Sequence, residues 1–581
     1  MRAPPDIAQY VWRTKYRAPD EASLRDSQVR VARALATVEG EGADLWTARF
    51  ADLMVDLKFI PGGRILAGAG RGRAVTLLNC FVMGPIDDSI PGIFRALKES
   101  ALTLQQGGGV GLDFSSLRPF GAPAESTGGV ASGPVSFMRL WDAMSETLLS
   151  TGARRGAMMG TLRCDHPDIE AFVDAKRAKG RLTHFNLSVQ ITDAFMAAER
   201  RGEPWALSFG KRPAKTVAAR DLWGRILRAA YDSAEPGVLF IDRINQLNPL
   251  RYCESISATN PCGEVPLPPY GACDLGSFNL VRFVRDPFTA AASLDLEDLA
   301  RLTPAAVRLL DNVIDTSHFP LPEQQTTARG TRRIGIGVTG LADAIVMLGL
   351  DYGQAEAREV AQSALRTLCH AAYRASFQLA REKGAFPAFD RDAYLAGPFV
   401  SRLPEDIRDG IARHGLRNSH LIAIAPAGSI SLMAGNVSSG VEPIFAPEYR
   451  REVVTAESGC REFRLTDYAL AKWRAAGRGG VPPHLTSGAD ITAKAQLEMQ
   501  AALQPFVDNA ISKTVSVPPQ TSFEAFRRIY DLAYDLGLKG CTAFRPNAAT
   551  GAVLAEVPAP PCCPLRARAG LSRRPQGRAR G

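Results

Sequence analysis

The stretch Asn260-Pro261-Cys262-Gly263-Glu264-Val265-Pro266-Leu267 holds the most reactive combination of residues in the chain, with Cys273 eleven residues beyond Cys262. An amide and a carboxylate two residues either side of a thiol put three polar groups on one face, if the segment is extended. Polar groups on a short buried segment call for partners or a substrate. The plain alternative is a packed cysteine beside solvated neighbours, and Pro-Cys-Gly, which breaks regular structure at the thiol, weighs against it. A second candidate is Ala425-Pro426-Ala427-Gly428-Ser429-Ile430-Ser431, directly after the apolar run HLIAIA (420–425). Small residues and hydroxyls at the end of a strand suit phosphate binding if a helix begins there; an ordinary capped turn reads the same way. A third, Gln105-Gln106-Gly107-Gly108-Gly109-Val110-Gly111, implies close approach of backbone to a ligand or a tight helix-to-strand connection.

Other motifs argue by failing. Gly335-Ile336-Gly337-Val338-Thr339-Gly340 spells G-x-G-x-x-G, but the preceding QQTTARGTRR is polar, whereas a dinucleotide turn needs a hydrophobic strand before it. The chain has no G-x-S-x-G, no phosphate-loop lysine motif and no H-E-x-x-H. Its ten cysteines (80, 164, 253, 262, 273, 369, 460, 541, 562, 563) form no C-x-x-C, so neither a zinc ribbon nor any other metal site is expected. No signal peptide or membrane-length apolar run is present, and a reducing cytoplasm is the expected setting.

The elements that must position these residues follow from periodicity. SLRDSQVRVARALATVEG near the N-terminus, Ser136 to Ser150 and Ala355 to Lys383 read as helices, the last closed by Gly384. LLNCFVM (77–83), NLSVQI (186–191) and HLIAIA read as buried strands. Strands alternating with helices predict one large α/β domain with parallel pairing, after an N-terminal helical segment. The 581 residues, 46% of them apolar, suffice for such a core. The formal charge of +9 suggests nucleic acid until it is located. Six arginines lie beyond Cys562 with no acid among them, so the first 561 residues carry only +3. No nucleic-acid partner is expected of such a body. The expected boundaries are 1–58 helical, 59–554 catalytic, and 555–581 a disordered basic tail.

N-P-C-G-E-x-P-L, L-L-N-C-F-V-M, Q-Q-G-G-G-V-G-L-D-F-S-S-L-R-P, R-R-I-G-I-G-V-T-G-L-A-D, A-P-A-G-S-I-S and K-G-C-T-A-F-R-P-N, in that family's order from about Tyr10 to Leu554, together resemble a ribonucleotide reductase catalytic chain. The closer resemblance is to the adenosylcobalamin-dependent class II enzymes. It implies a ten-stranded α/β barrel of two antiparallel half-sheets, with a finger loop carrying the radical cysteine. Cys262 matches that cysteine, Glu264 the carboxylate that takes the 3′-hydroxyl proton, and Asn260 the amide that orients the substrate. Cys80 and Cys273 match the reducing dithiol. Asn79 and Gly109 match substrate contacts, and Ala427, Gly428, Ser429, Ile430 and Ser431 the phosphate cradle. Asp87, Arg118, Lys179 and Arg181 match positions serving a deoxynucleotide effector, the last two in the loop that links effector to substrate choice. Cys562 and Cys563 are candidates for the tail dithiol that passes electrons from thioredoxin or glutaredoxin.

Within the resemblance, the cofactor is decided near the C-terminus. Class I large subunits, the alternative reading, receive their radical from a partner protein through a Tyr-Tyr pair, and Gly540-Cys541-Thr542-Ala543-Phe544 has none. Adenosylcobalamin is therefore the expected cofactor, a ribonucleotide the substrate, a homodimer the candidate assembly, and no membrane partner is expected. Nothing upstream resembles an ATP-cone, so overall activity switching by ATP and dATP is not expected.

Overall fold

The computed structural model describes residues 6–124, 128–150, 154–178, 180–210, 212–455, 459–547 and 554–556. Helices occupy Ile7–Val11, Leu24–Ala36 and Ala43–Leu53 before the first strand, Phe59–Pro61. The second helix starts at a capping box: Ser23 Oγ accepts from the Asp26 N–H while the Asp26 carboxylate accepts from the Ser23 N–H. Trp12–Tyr16 continues the first helix as a π-helical turn that buries both aromatic rings.

The body from Phe59 onward is built on a ten-stranded sheet. Cys80–Val82, Gly109–Asp113, Met158–Arg163, Phe185–Ile191 and Gly237–Phe240 run parallel to one another. Ala272–Asn279 pairs in parallel with Ile334–Thr339, and Thr514–Ser516 with Gly540–Phe544. These two groups meet antiparallel at two seams, Cys80 opposite Cys273 and Val238 opposite Cys541. Phe59–Pro61 also pairs with Ala272–Asn279, at the far end of that strand from Cys80–Val82. The extended segment 420–425 closes the circle through parallel bridges, Ile336 to Ile422 and Ile424 to Ile511. The result is the expected barrel of two antiparallel halves. HLIAIA is thus held by isolated bridges rather than by a continuous ladder.

Helices outside and the site inside leave strands such as Met158–Arg163 and Ile334–Thr339 buried on both faces, which is why they read as apolar runs without alternation. The long helix Leu296–Thr316 packs on Ala272–Asn279 and Ile334–Thr339, and the longer helix Ala355–Lys383 packs on Leu296–Thr316. The second ends at Gly384 (φ +84°) as its sequence predicts. The helix expected over Ser136 to Ser150 instead spans Pro134–Thr147, because Gly133 (φ +75°) and Pro134 start it earlier. The G-I-G-V-T-G run is itself a strand, so no pyrophosphate turn forms. A Cβ on Gly337 would lie 2.5 Å from the Ala423 carbonyl oxygen, and its absence lets segment 420–425 close against the strand.

Helices give way to strand at Phe59. At the other end Leu554–Glu556 forms a short strand on Glu448–Thr455, two residues into the expected tail; residues 557–581 lie outside the described residues. Among the described residues no helix is long and apolar enough to cross a membrane.

Candidate active site

Inside the barrel, Ala258–Thr259 and Pro266–Leu267 pair as a short hairpin whose tip carries Asn260 to Val265. The tip is a tight turn. Gly263 (φ +84°) donates its N–H to the Asn260 carbonyl at 3.1 Å, and the Val265 N–H donates to Asn260 Oδ1 at 3.0 Å. This overturns the single polar face expected of an extended segment. The reversal at Gly263 buries Asn260 and Glu264 (each 2% exposed) while Cys262 stays exposed at the tip. The glycine-rich run explains how the hairpin fits. Gly109 lies against Pro261, where a Cβ would come within 3.1 Å of the proline ring, and Gly111 lies against the Thr259 carbonyl. Close backbone approach is therefore the reason for these glycines, and the approaching group is the hairpin.

Asn260, Glu264 and Cys80 form one contiguous cluster. Asn260 Nδ2 donates to Cys80 Sγ at 3.2 Å, and the Cys80 thiol donates to Glu264 Oε1 at 3.7 Å. Cys80 and Cys273 are direct partners across the antiparallel seam. Such partners have Cα atoms about 4.5–5.5 Å apart, inside the roughly 4.4–6.8 Å that a disulfide spans. Both are free thiols, and Cys273 donates to the Asp274 carbonyl at 3.2 Å.

The electrostatics suit neutral thiols and a carboxylate of raised proton affinity. Burial pushes both thiols well above their usual range, with the Glu264 charge adding to the effect at Cys80 and the Asp274 charge at Cys273. Burial also raises the Glu264 carboxyl above its ordinary 4.5, against hydrogen bonds from Asn260 and Cys80 that pull it down. Glu264 Oε2 and Asn79 Oδ1 are buried without a hydrogen-bond partner. Each such atom costs about 1–3 kcal/mol, and a hydroxyl hydrogen from a bound substrate would offset the cost at Glu264 Oε2.

On its other flank Cys262 lines a cavity of about 390 Å³, bounded by Gly237–Phe240, Gly540–Phe544 and residues 510–514. Cys541, Thr542 and Ala543 form one wall of it. Their small side chains leave room there for a ligand of the usual small-molecule scale. Cys262 therefore stands between the cavity and the buried cluster, near enough to Cys80 to influence its titration.

The remaining candidates are placed as follows. Gly428 starts the short helix Gly428–Met433, and nothing lies within 4 Å of where its Cβ would be. Asp87 and Arg118 are paired with other residues near the start of helix Ile90–Gln105: Asp87 with Arg95 at 3.3 Å and Arg118 with Asp88 at 2.7 Å. Arg181 is exposed in the loop before Phe185, and Lys179, Cys562 and Cys563 lie outside the described residues. Among the described residues no group of three or more His, Cys, Asp or Glu side chains is arranged to hold a metal ion.

Sequence reasoning missed three neighbours. Asn186 Nδ2 donates to the Pro261 carbonyl at 2.8 Å, fastening the hairpin tip beside Cys262. Lys539, fully buried and pulled by burial to about 7, donates to the carbonyls of Asp508 and Asn509. It thereby holds the segment whose Ala510 N–H bonds the Glu264 carbonyl at 2.9 Å. Tyr16 comes from the N-terminal helices to within 2.7 Å of Ser429. The polar start of an otherwise buried strand was a signal for Asn186; Tyr16 and Lys539 left none, because their partners are hundreds or tens of residues away.

Comparison with known proteins gives a consistent set. Residues 78–544 match the family described as ribonucleotide reductase, barrel domain, and residues 3–74 its all-alpha domain. A vitamin B12-dependent ribonucleoside-diphosphate reductase of Mycobacterium tuberculosis (strain CDC 1551 / Oshkosh) is 39% identical over 94% of this chain and 80% of its own. One from Thermoplasma acidophilum is 36% identical over 89% of this chain and 67% of its own. A vitamin B12-dependent ribonucleotide reductase of Streptomyces clavuligerus is 28% identical over 81% of this chain and 57% of its own.

Proposed function

The chain belongs to the ribonucleotide reductase family, and from that premise we propose that it reduces ribonucleotides to 2′-deoxyribonucleotides with adenosylcobalamin as cofactor. The observation that carries the reading is the placement of Cys262 at a hairpin tip, between a ligand-sized cavity and the cross-strand pair Cys80–Cys273. The B12-dependent names of the relatives at 36–39% identity support the cofactor. So do the small side chains of Cys541, Thr542 and Ala543 on the cavity wall.

When bound, the cobalamin would supply radical chemistry by homolysis of its cobalt–carbon bond; residues around the cavity, among them Gly237, Cys541 and Lys513, would border the part of it that reaches Cys262. The Cys262 thiyl takes the hydrogen from C3′ of the ribose and returns it at the end. Glu264 accepts the 3′-hydroxyl proton, with Asn260 and Asn79 orienting the sugar. The 2′-hydroxyl leaves as water with a proton from the Cys80–Cys273 pair, whose second hydrogen goes to C2′ as the pair gives up two electrons and becomes a disulfide. Dithiol and ribonucleotide thus become disulfide, deoxyribonucleotide and water. The first-turn N–H groups and hydroxyls of Ala427 to Ser431 take the phosphate.

Glu264→Gln removes the proton acceptor without changing side-chain size, and kcat is expected to fall about 10²–10⁴-fold. In the native protein the carboxylate is the working form. Activity therefore rises with pH through a Glu264 pKa held above 4.5 by burial, and the acid limb of the profile sits above the ordinary carboxylate range. In the Gln variant that limb is absent from the residual rate.

Asp87, Arg118 and Arg181, with Lys179, would receive a deoxynucleotide effector. Ile90 and Phe94 (58% and 51% exposed) lie on the neighbouring helix, an apolar face suited to a second copy of the chain. Thioredoxin or glutaredoxin would re-reduce the dithiol, through Cys562 and Cys563 if the tail delivers electrons. The test of the whole reading is an anaerobic assay of CDP and CTP reduction with dithiothreitol, with and without adenosylcobalamin. Deoxycytidine nucleotide is expected only with the cofactor; equal product without it overturns the assignment.

A further inference from the structure

We propose that Tyr16, on the N-terminal helical segment, is a positioning residue of the nucleotide-phosphate site. It donates its phenolic hydrogen to Ser429 Oγ, so that the serine hydroxyl hydrogen is turned to the bound phosphate. The inference rests on the reading of Ala427 to Ser431 as the phosphate cradle and adds to it a residue from the other domain.

The geometry is specific. Tyr16 Oη lies 2.7 Å from Ser429 Oγ, and the tyrosine is only 4% exposed. Its backbone is clamped: the Tyr16 carbonyl accepts from Arg30 Nη2 at 3.2 Å and from Arg71 Nη2. Arg30 is held in turn by Glu21 at 2.6 Å. The hydroxyl itself is confined by Gly63, where a Cβ would stand 3.1 Å from Tyr16 Oη. A ring fixed at its backbone and at its tip holds its hydroxyl in one place.

The chemistry sets the direction of the bond. A serine hydroxyl has one hydrogen and two lone pairs, and a phenol is the more acidic partner. With an anion beside Ser429, the serine hydrogen is drawn to the anion. The Tyr16 hydrogen then fills a lone pair on Ser429 Oγ. Ser429 lies within the Ala427–Ser431 run read as the cradle, so its aligned hydroxyl would act on the bound anion. Without Tyr16 the serine can rotate its hydrogen away into the helix, as Ser431 does by donating to the Gly428 carbonyl at 2.9 Å.

The experiment measures KM and kcat for CDP, and the inhibition constant of cytidine, which lacks the phosphate, in Tyr16→Phe and Ser429→Ala under saturating adenosylcobalamin and dithiothreitol. Tyr16→Phe keeps the ring and is expected to raise the CDP KM about 3–10-fold, the scale of one net hydrogen bond. Its kcat is expected to stay within about two-fold and its cytidine inhibition to be unchanged. Packing damage would move CDP and cytidine together, and that result overturns the proposal, as does an unchanged CDP KM. If Ser429→Ala raises the CDP KM and Tyr16→Phe does not, Tyr16 alone is excluded. If Ser429→Ala also leaves it unchanged, the cradle itself is misplaced. Gly63→Ala gives an independent route should Tyr16→Phe fold poorly: its Cβ, 3.1 Å from Oη and 3.6 Å from the ring, shifts ring and hydroxyl together away from Ser429, and the signature of a raised CDP KM with unchanged cytidine inhibition is expected. Its absence in a folded Gly63→Ala protein counts against the proposal.

Discussion

Cys262→Ala is expected to fold as the native chain does and to make no detectable deoxyribonucleotide. The side chain is exposed at the tip of a turn, and the turn is held by Gly263 and by the Asn260 and Val265 backbone, none of which needs the sulfur. A change of stability within about 0.5 kcal/mol is the expectation for such a site. Activity should fall by a factor on the order of 10⁴ or more, because no neighbouring group can take its place in breaking the bond. Cys80 and Cys273 are thiols too, but both are buried and sit on the strand walls rather than at the cavity. Cys541 lines the cavity but belongs to the opposite seam, across from Val238. Product measured by chromatography, with the melting temperature of each protein recorded beside it, checks both halves. A folded Cys262→Ala enzyme that still reduces CDP would remove the thiol from the mechanism.

Cys80→Ser and Cys273→Ser are expected to be nearly as severe, with a different signature. Each keeps a hydroxyl that can hydrogen-bond but cannot form a disulfide, so reduction of the ribose loses its electron source. Turnover below about 1% of native is the expected result for loss of a group that delivers both proton and electrons. In the native enzyme, pre-reduced and then freed of dithiothreitol, a single turnover should consume two thiols for each deoxyribonucleotide formed. Alkylation and mass analysis should place the new disulfide between Cys80 and Cys273. The serine variants should consume none. A native turnover that leaves both thiols free would exclude this pair as the reductant. Because Cys80 also bonds Asn260 and Glu264, its serine variant should disturb the acid limb of the pH profile more than the Cys273 variant does.

Much of the site was legible before the fold was seen. Asn260, Cys262 and Glu264 fall within five residues, so their relation is local and survives in the order of the chain. Ala427 to Ser431 and the run Gly107 to Gly111 stood out by composition, although a capped turn and a tight helix-to-strand connection read the same way. What these glycines approach was not legible: Pro261 and Thr259 lie some 150 residues away, and only packing selects them. The same limit misjudged the hairpin tip. Alternation predicts one polar face for an extended strand, whereas a single positive φ at Gly263 sends Cys262 one way and Asn260 and Glu264 another.

The chemistry available to this protein was written in residue types and short spacings: a thiol between an amide and a carboxylate, hydroxyls after an apolar run, and a body of near-neutral charge ending in arginines. Such features depend on bonds along the chain and on local torsion preferences, which one sequence displays directly. Residue order was silent on register and on closure. That Cys80 faces Cys273 depends on how two parallel half-barrels meet antiparallel. That Tyr16 touches Ser429 depends on where the helical segment docks. Both are settled by the burial of many side chains at once, a cooperative sum that no short stretch of residues contains.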